Sequence, residues 1–314
     1  MSTYHTAVML RETVDGLDMR PDGVYVDVTF GGGGHSREIL RRLGPEGRLI
    51  AFDQDEDARR NLPEDDRLIF IAANFRHLKA RLRVEGYRQV DGILADLGVS
   101  SHQLDEGERG FSYRYDAPLD MRMNRLGGDT AADLLNGASA EQLHDWFGRY
   151  GEVRNARTLG QHIAAERAHR PIRTTGDLLG LLEGMVIGKR PRYLSQVFQA
   201  LRIAVNDEMG ALEQFLTEAE QVLAPGGRLS VLSYHSLEDR MVKNMLKSGT
   251  LDGKHLRDFY GNIYRPYKLI TKKAVEATAD ENALNSRARS ARLRIGARTT
   301  QTRPTEADMQ QPDL

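Results

Sequence analysis

Val24-Tyr25-Val26-Asp27-Val28-Thr29-Phe30-Gly31-Gly32-Gly33-Gly34-His35-Ser36 is a β-branched run that breaks into four consecutive glycines and restarts as helix-forming sequence. Valine, tyrosine and threonine suit a pleated strand. Glycine has no Cβ and accepts positive φ, so Gly31 to Gly34 let a ligand approach the backbone closely. Beyond the glycines, Ile39, Leu40 and Leu43 share one helical face, and Gly44-Pro45 stops the helix. Strand, glycine loop and helix in this order open a nucleotide-binding type of fold, with the nucleotide still undecided.

Outward from this unit the pattern repeats. Residues 48–52, 68–72 and 90–95 read as strands, the first ending in Asp53 and the last in Asp96, with helical stretches over 55–61 and 75–86. This βα alternation predicts an α/β fold with a mostly parallel sheet covered on both faces. The alternation then stops. Between residues 104 and 192 there is no strand pattern, only helices: 131–135 after Thr130, one capped by Ser139 with Gln142, one over 152–169, and one capped by Thr175. A proline-free helix over 195–223 follows. The sheet resumes at 228–234, then a helix capped by Ser236 with Asp239, and two alternating strands over 268–275 and 291–297. The expected organisation is a discontinuous sheet domain (1–103 and 206–298) with an all-helical insertion (104–205) and a disordered polar tail (299–314).

Composition narrows the chemistry. The chain has no cysteine, which excludes disulfides, thiolate nucleophiles, iron–sulfur clusters and Cys-ligated zinc. Its nine histidines show no tight ligand spacing, so no metal site is expected. No run approaches the roughly 18 apolar residues of a membrane span, and no signal peptide is evident, so the expected location is cytoplasmic. Net charge is −1, yet arginine is concentrated in two places: Arg149, Arg154, Arg157, Arg167, Arg170 and Arg173, then Arg287, Arg289, Arg292, Arg294 and Arg298 with no acid between them. These clusters suit phosphate recognition, and equally suit solvated faces of structural elements.

Asp53 follows its strand 19 residues after Gly34, where a carboxylate can accept hydrogen bonds from both hydroxyls of a ribose. Gly31 and Gly33 fit the first two places of a dinucleotide fingerprint, but Ser36 stands at the third. That weakens a nicotinamide dehydrogenase. Asp27 before the loop can face an ammonium group, and an acid before a Gly-x-Gly loop with another after the second strand is the signature of S-adenosylmethionine binding. Asp96 sits on the carboxyl edge, placed for the cofactor or for an amine about to be methylated. Phe75 reads equally as an adenine-stacking ring or a core aromatic. His235 and Arg240 are candidate substrate contacts that the Ser236–Asp239 cap does not require.

Taken together, residues 26–36, Asp96-Leu97-Gly98-Val99-Ser100-Ser101, Arg109-Gly110-Phe111-Ser112, Pro118-Leu119-Asp120-Met121-Arg122-Met123, Phe198-Gln199-Ala200-Leu201-Arg202-Ile203 and Ser233-Tyr234-His235-Ser236-Leu237-Glu238-Asp239-Arg240 resemble the MraW family of bacterial 16S rRNA cytosine-N4 methyltransferases. The resemblance covers nearly the whole chain. It implies a class I S-adenosylmethionine-dependent methyltransferase fold (Rossmann-like) with the helical insertion as RNA-recognition domain. It implies cofactor contacts at Gly33, Gly34, His35, Asp53, Phe75, Asp96 and Gln103. The implied substrate is a decoding-centre cytosine near the P site, in the small ribosomal subunit or a late precursor, and a homodimer is left open. On this reading Asp96 and His235 are the candidate catalytic residues, and Arg122, Arg240, Arg287 and Arg289 the candidate RNA contacts. Two departures stand out: Ser195-Gln196 where many members have Thr-Arg, and Ser286 where proline is usual.

The residues constrain the reaction independently of the resemblance. Methylation at C5 of cytosine uses a cysteine adduct, which this chain cannot form; direct transfer to N4 needs positioning and an acceptor for the amine's protons. Methylation of a small molecule or protein, and a non-catalytic nucleic-acid-binding module, remain competing readings.

Overall fold

Burial along the first strands is continuous rather than alternating, as it must be when both faces of a sheet are covered. In β1 (Val24–Asp27), Tyr25, Val26 and Asp27 are buried in succession, and β2 (Arg48–Asp53) buries Leu49 through Phe52. With β3 (Leu68–Ala72), β4 (Val90–Asp96), β5 (Leu223–Ser233), β6 (Tyr267–Leu269), β7 (Val275–Glu276) and β8 (Arg292–Arg298) they form one sheet. Its order is β3-β2-β1-β4-β5-β8-β6, with β7 also on β8. The pairs from β3 to β5 are parallel, whereas β8 runs antiparallel to β5, β6 and β7. This is a Rossmann-like sheet.

The computed structural model describes residues 7–100, 103–104, 107–305 and 308. The chain divides into two units, Met1–Gly98 with Ala211–Leu314, and Val99–Gly210. In the first, helices Leu10–Asp15 and Gly34–Arg42 pack Val14, Leu17, Ile39, Leu40 and Leu43 against Tyr25, Leu49 and Leu94. Val8 and Met9 join Leu232, Leu293 and Ile295 in a further cluster, so the N-terminal segment lies on β5 and β8.

The second unit has its own core, built by Leu143, Phe147, Leu159, Ile163, Val197 and Leu201 among others. Its helices are Ala131–Gly137, Ala140–Arg149, Ala156–Glu166, Thr175–Leu182 and Arg190–Asn206. Capping boxes start three of them, Thr130 with Asp133, Ser139 with Gln142, and Thr174 with Asp177. Each satisfies two of the orphan N–H groups that every helix start carries.

Several sequence expectations are corrected. The helix predicted over 195–223 is two, Arg190–Asn206 and Glu208–Val222, because Asp207 adopts a left-handed backbone (φ 45). Pro191 lies in the first turn of the former, where a missing N–H costs nothing. Glu152 is also left-handed (φ 52), and the helix expected from residue 152 starts only at Ala156. Thr174, not Thr175, is the cap. The helix expected over 75–86 begins as a 3-10 turn, Phe75–His77, before the α-helix Leu78–Val84. The strand expected over 268–275 is two fragments, β6 and β7, on one edge of β8.

The tail reading also changes for residues 299–305; residues 306, 307 and 309–314 lie outside the described residues. Arg303 donates to Glu220 Oε2 at 2.9 Å and to the Gly249 carbonyl at 2.6 Å, and its guanidinium sits over the Tyr264 ring. Glu220 is buried and also accepts the Tyr264 hydroxyl at 2.5 Å. A segment poor in apolar residues is held by one buried carboxylate. Arg303→Ala leaves that carboxylate short of its cation. It is expected to lower the unfolding free energy by about 1–2 kcal/mol in a urea titration, less than a fully buried pair would because Arg303 is itself partly exposed.

Candidate active site

The parallel strands deliver three carboxylates to one edge of the sheet. Asp27 ends β1, Asp53 ends β2 and Asp96 ends β4, with Asp27 in register with Ala51 and close to it on β4 with Leu94. The chain leaving β5 adds Tyr234 and His235.

The glycine loop crosses this edge. Gly33 N–H donates to the Phe30 carbonyl at 2.7 Å, with φ 51 at Gly31 and φ 74 at Gly33. A Cβ at Gly33 would lie 2.9 Å from the Phe30 ring, and one at Gly34 would lie 2.8 Å from Ala7. Gly32 differs: its φ is ordinary, and a Cβ there would meet nothing within 4 Å. The protein itself therefore leaves room over Gly32, the cradle that a closely bound ligand needs.

Asp27 has no exposed surface. Its Oδ2 accepts the Ser36 hydroxyl at 2.7 Å and its Oδ1 accepts the Thr29 N–H at 3.0 Å. The carboxylate expected to face an ammonium group thus joins the end of β1 to the first turn of the next helix. Asp53 accepts Gly31 N–H at 2.7 Å on Oδ2 and Asp55 N–H at 2.8 Å on Oδ1. Burial pushes its carboxyl up to about 6 despite those two donors. Each oxygen keeps a second lone pair for a ligand hydroxyl. Beside it, Gln54 accepts from Asn74 Nδ2 at 2.7 Å, linking the turns after β2 and β3. Phe75 is half-buried, its ring edge-on to Phe215 at 5.4 Å.

Asp96 is the centre of a second network. Its Oδ1 accepts the Tyr234 hydroxyl at 2.6 Å, and its backbone N–H donates to Thr29 Oγ1 at 2.6 Å. His35 Nδ1 lies 3.8 Å from Asp96 Oδ2, while His35 Nε2 lies 3.1 Å from the Val8 carbonyl. A carbonyl only accepts, so Nε2 carries the hydrogen. Burial raises the Asp96 carboxyl above its ordinary value, with His35 and Tyr234 opposing the shift; burial and the adjacent Asp96 raise Tyr234 well above its own. Tyr234 is therefore a donor at any physiological pH. Sequence reasoning passed over Tyr234 and Thr29, although Tyr234 lies within a quoted motif.

His235 and Arg240 fare differently. His235, not Ser236, is the N-cap of helix Ser236–Ser248, in a capping box with Glu238, and its Nε2 lies 3.1 Å from Glu238 Oε1. Asp239, expected to complete the cap, instead receives Arg294 at 2.6 and 3.0 Å. Arg240 and Arg289 are exposed and Arg287 is half-buried. Arg298 donates to the Glu220 and Pro266 carbonyls at 3.0 and 3.2 Å. The second arginine cluster is thus partly scaffold.

In the Val99–Gly210 unit, Gln103 is buried and its Oε1 accepts Ser100 N–H at 3.0 Å. Arg122 is bound by Asp120 at 2.7 and 2.9 Å and reaches the Gly128 carbonyl at 3.2 Å. Buried Arg109 donates to the Arg122 and Met123 carbonyls at 2.8 and 3.1 Å, and Asn206 donates to the Met121 carbonyl at 2.8 Å. A Cβ on Gly110 (φ 73) would lie 2.5 Å from the Pro118 carbonyl, so these motifs interlock as a folded loop. Gln196 Nε2 donates to the Glu152 carbonyl at 3.1 Å and Ser195 Oγ to the Pro191 carbonyl at 2.9 Å, so both residues of the Ser195-Gln196 departure are engaged within the unit. Arg154, Arg157 and Arg173 are exposed, whereas Arg149 and Arg170 pair with Asp145 and Asp177 at 3.1 and 2.7 Å.

Comparison with known proteins gives the family. A model of the MraW methylase family matches residues 2–299. A protein of Parabacteroides distasonis named ribosomal RNA small subunit methyltransferase H is 54% identical over 296 residues, covering 94% of this chain and 97% of that one. Proteins of the same name from Cytophaga hutchinsonii and Flavobacterium johnsoniae are 53% and 54% identical, covering 94% and 93% of this chain and 99% and 97% of theirs.

Asp53 gives the site a pH dependence whose sign follows from its raised carboxyl. Below about 6 it is protonated and accepts hydroxyl hydrogen bonds poorly; above, it is the better acceptor. Affinity for S-adenosylmethionine, measured by calorimetry, is expected to rise about tenfold between pH 5 and pH 7. Asp53→Asn is expected to bind weakly across that range with the dependence flattened.

Proposed function

The chain belongs to the MraW methylase family and is an rRNA methyltransferase, and from that premise we propose that it methylates the exocyclic N4 amine of a decoding-centre cytosine in 16S rRNA. The methyl donor is S-adenosylmethionine, and the residues fit it. Asp53 offers lone pairs to vicinal hydroxyls, the open space at Gly32 accommodates close approach, and Phe75 presents a partly exposed ring beside the same edge. When bound, the cofactor supplies an electrophilic methyl group on a sulfonium.

The observation that carries the reading is the state of Asp96. Tyr234 occupies Oδ1, which orients the carboxylate, and Oδ2 makes no hydrogen bond among the described residues. The side chain is 24% exposed, enough to meet an incoming base. A carboxyl with a raised pKa is a stronger base than a solvated one, suited to accept a hydrogen bond from the amine and then its proton. Tyr234, pinned as a donor, limits the rotation of Asp96, and the backbone bond to Thr29 fixes its height above the sheet. With no cysteine in the chain, C5 methylation through a covalent adduct is closed to it.

The RNA side of the reading rests on exposed arginines in both units, Arg154, Arg157 and Arg173 in one, Arg240 and Arg289 in the other. The target base must leave its stack to reach a strand-edge site, which favours a structured particle that already presents it unpaired.

The test is labelled S-adenosylmethionine with small subunits from a strain lacking the enzyme, compared with late precursors and with a free oligonucleotide. N4-methylcytidine in the rRNA digest is the expected product, with the particles favoured over the oligonucleotide. Label at another atom overturns the assignment. Asp96→Asn is expected to lower kcat roughly 10²-fold or more, the range for loss of a positioned proton acceptor. Full transfer with unchanged cofactor affinity would remove Asp96 from the chemistry.

A further inference from the structure

Far along the first unit from its glycine loop in sequence, residues 256–264 form a small hairpin. Arg257 and Ile263 make an antiparallel bridge, and Tyr264 N–H donates to the Leu256 carbonyl at 2.9 Å. Its tip is tightly built: Asn262 gives both its N–H and its Nδ2 to the Asp258 carboxylate at 2.8 Å, and Gly261 turns with φ 85. Phe259 and Tyr260 stand on that tip, 42% and 84% exposed, with ring centroids 5.3 Å apart at 70°. On the hairpin and just after it Arg257 and Arg265 are exposed, and neither is paired with an acid among the described residues. The one acid within the hairpin, Asp258, is engaged by the turn itself.

Exposed aromatics on a hydrogen-bonded turn, with unpaired cations next to them in sequence, are the two halves of single-stranded nucleic-acid binding: rings for base stacking and charges for phosphate. Exposed arginines beside a turn are ordinary on a solvated surface, but that does not account for an almost fully exposed tyrosine on a hydrogen-bonded turn. Resting on the reading above that the substrate is structured rRNA, we propose that the 256–264 hairpin with Arg257 and Arg265 is an RNA-docking arm. Tyr260 stacks on an unpaired base outside the reaction centre, and the cations take the flanking phosphates.

The test uses the full-length enzyme with small subunits lacking the methyl group. Tyr260→Ala is expected to raise KM for the particle roughly five- to tenfold, the lower end of the loss of one base–aromatic stack. Its kcat, cofactor affinity and melting temperature are expected to match wild type. Tyr260→Phe keeps the ring face and is expected to restore KM. Arg257→Gln with Arg265→Gln is expected to flatten the slope of log KM against log salt by about 1.5, as two lost phosphate contacts would. Wild-type KM and salt slope in these variants overturn the arm while leaving the methylation reading intact. So does a Tyr260→Ala protein whose sedimentation changes but whose KM does not, which would assign the tip to a protein contact. A wild-type enzyme that labels no rRNA removes both readings together.

Discussion

The buried carboxylate of Asp27 is the knot on which the site is tied. With no surface of its own, it joins the backbone just past β1 to Ser36 in the first turn of the following helix. That link closes the glycine loop at its base, so Gly31 to Gly34 are held by an internal hydrogen-bond network. A buried carboxylate without donors would be severely penalised, and here two neighbours in sequence supply them. Thr29 extends the knot sideways, since the hydroxyl that faces Asp27 also accepts the backbone N–H of Asp96. Strand ends that carry different duties are fixed against one another by a single threonine.

Around this knot the edge of the sheet concentrates three acids in a poorly solvated place, and burial raises the carboxyl pKa of each. Their partners differentiate them. Asp27 receives a hydroxyl and backbone N–H and becomes structural. Asp53 receives only backbone N–H groups and keeps its outward lone pairs. Asp96 receives a tyrosine that burial and the carboxylate itself keep protonated at physiological pH, and an imidazole just beyond hydrogen-bond distance. One chemical group thus acquires separate roles from its donors, the usual route by which a fold tunes carboxylates.

The strands were legible because short apolar runs rich in β-branched residues, bounded by turn residues, fit strands buried on both faces, and Asp53 and Asp96 could be placed because each simply ends such a run. The glycine loop was legible for the converse reason, an absence of side chains. What escaped depended on partners distant in sequence or on unusual chemistry. His235 caps a helix through its ring, outside the usual set of capping side chains, so Ser236 attracted the assignment. Arg294 appears as one of a basic run until the fold brings Asp239 to it from 55 residues away. Arg303 and Glu220, 83 residues apart, turn a polar tail into an ordered segment. Asp207 breaks a helix without glycine or proline to announce it. Arg122 carried a motif's resemblance, yet its guanidinium is bound to an acid two residues earlier.

The sheet's connectivity also sets an order in time. β4 needs β5 as its neighbour, yet between Asp96 and Leu223 the chain makes the whole of a second unit with its own core. During synthesis β1 to β4 emerge first, leaving an apolar edge at Ile93, Leu94 and Ala95 with no partner. The helical unit, contiguous in the chain and rich in local contacts, can complete its folding while that edge waits. β5 in turn lacks its outer neighbour until β8 has been made. An rRNA methyltransferase is thus made with its catalytic sheet closing only after the helical unit that interrupts it.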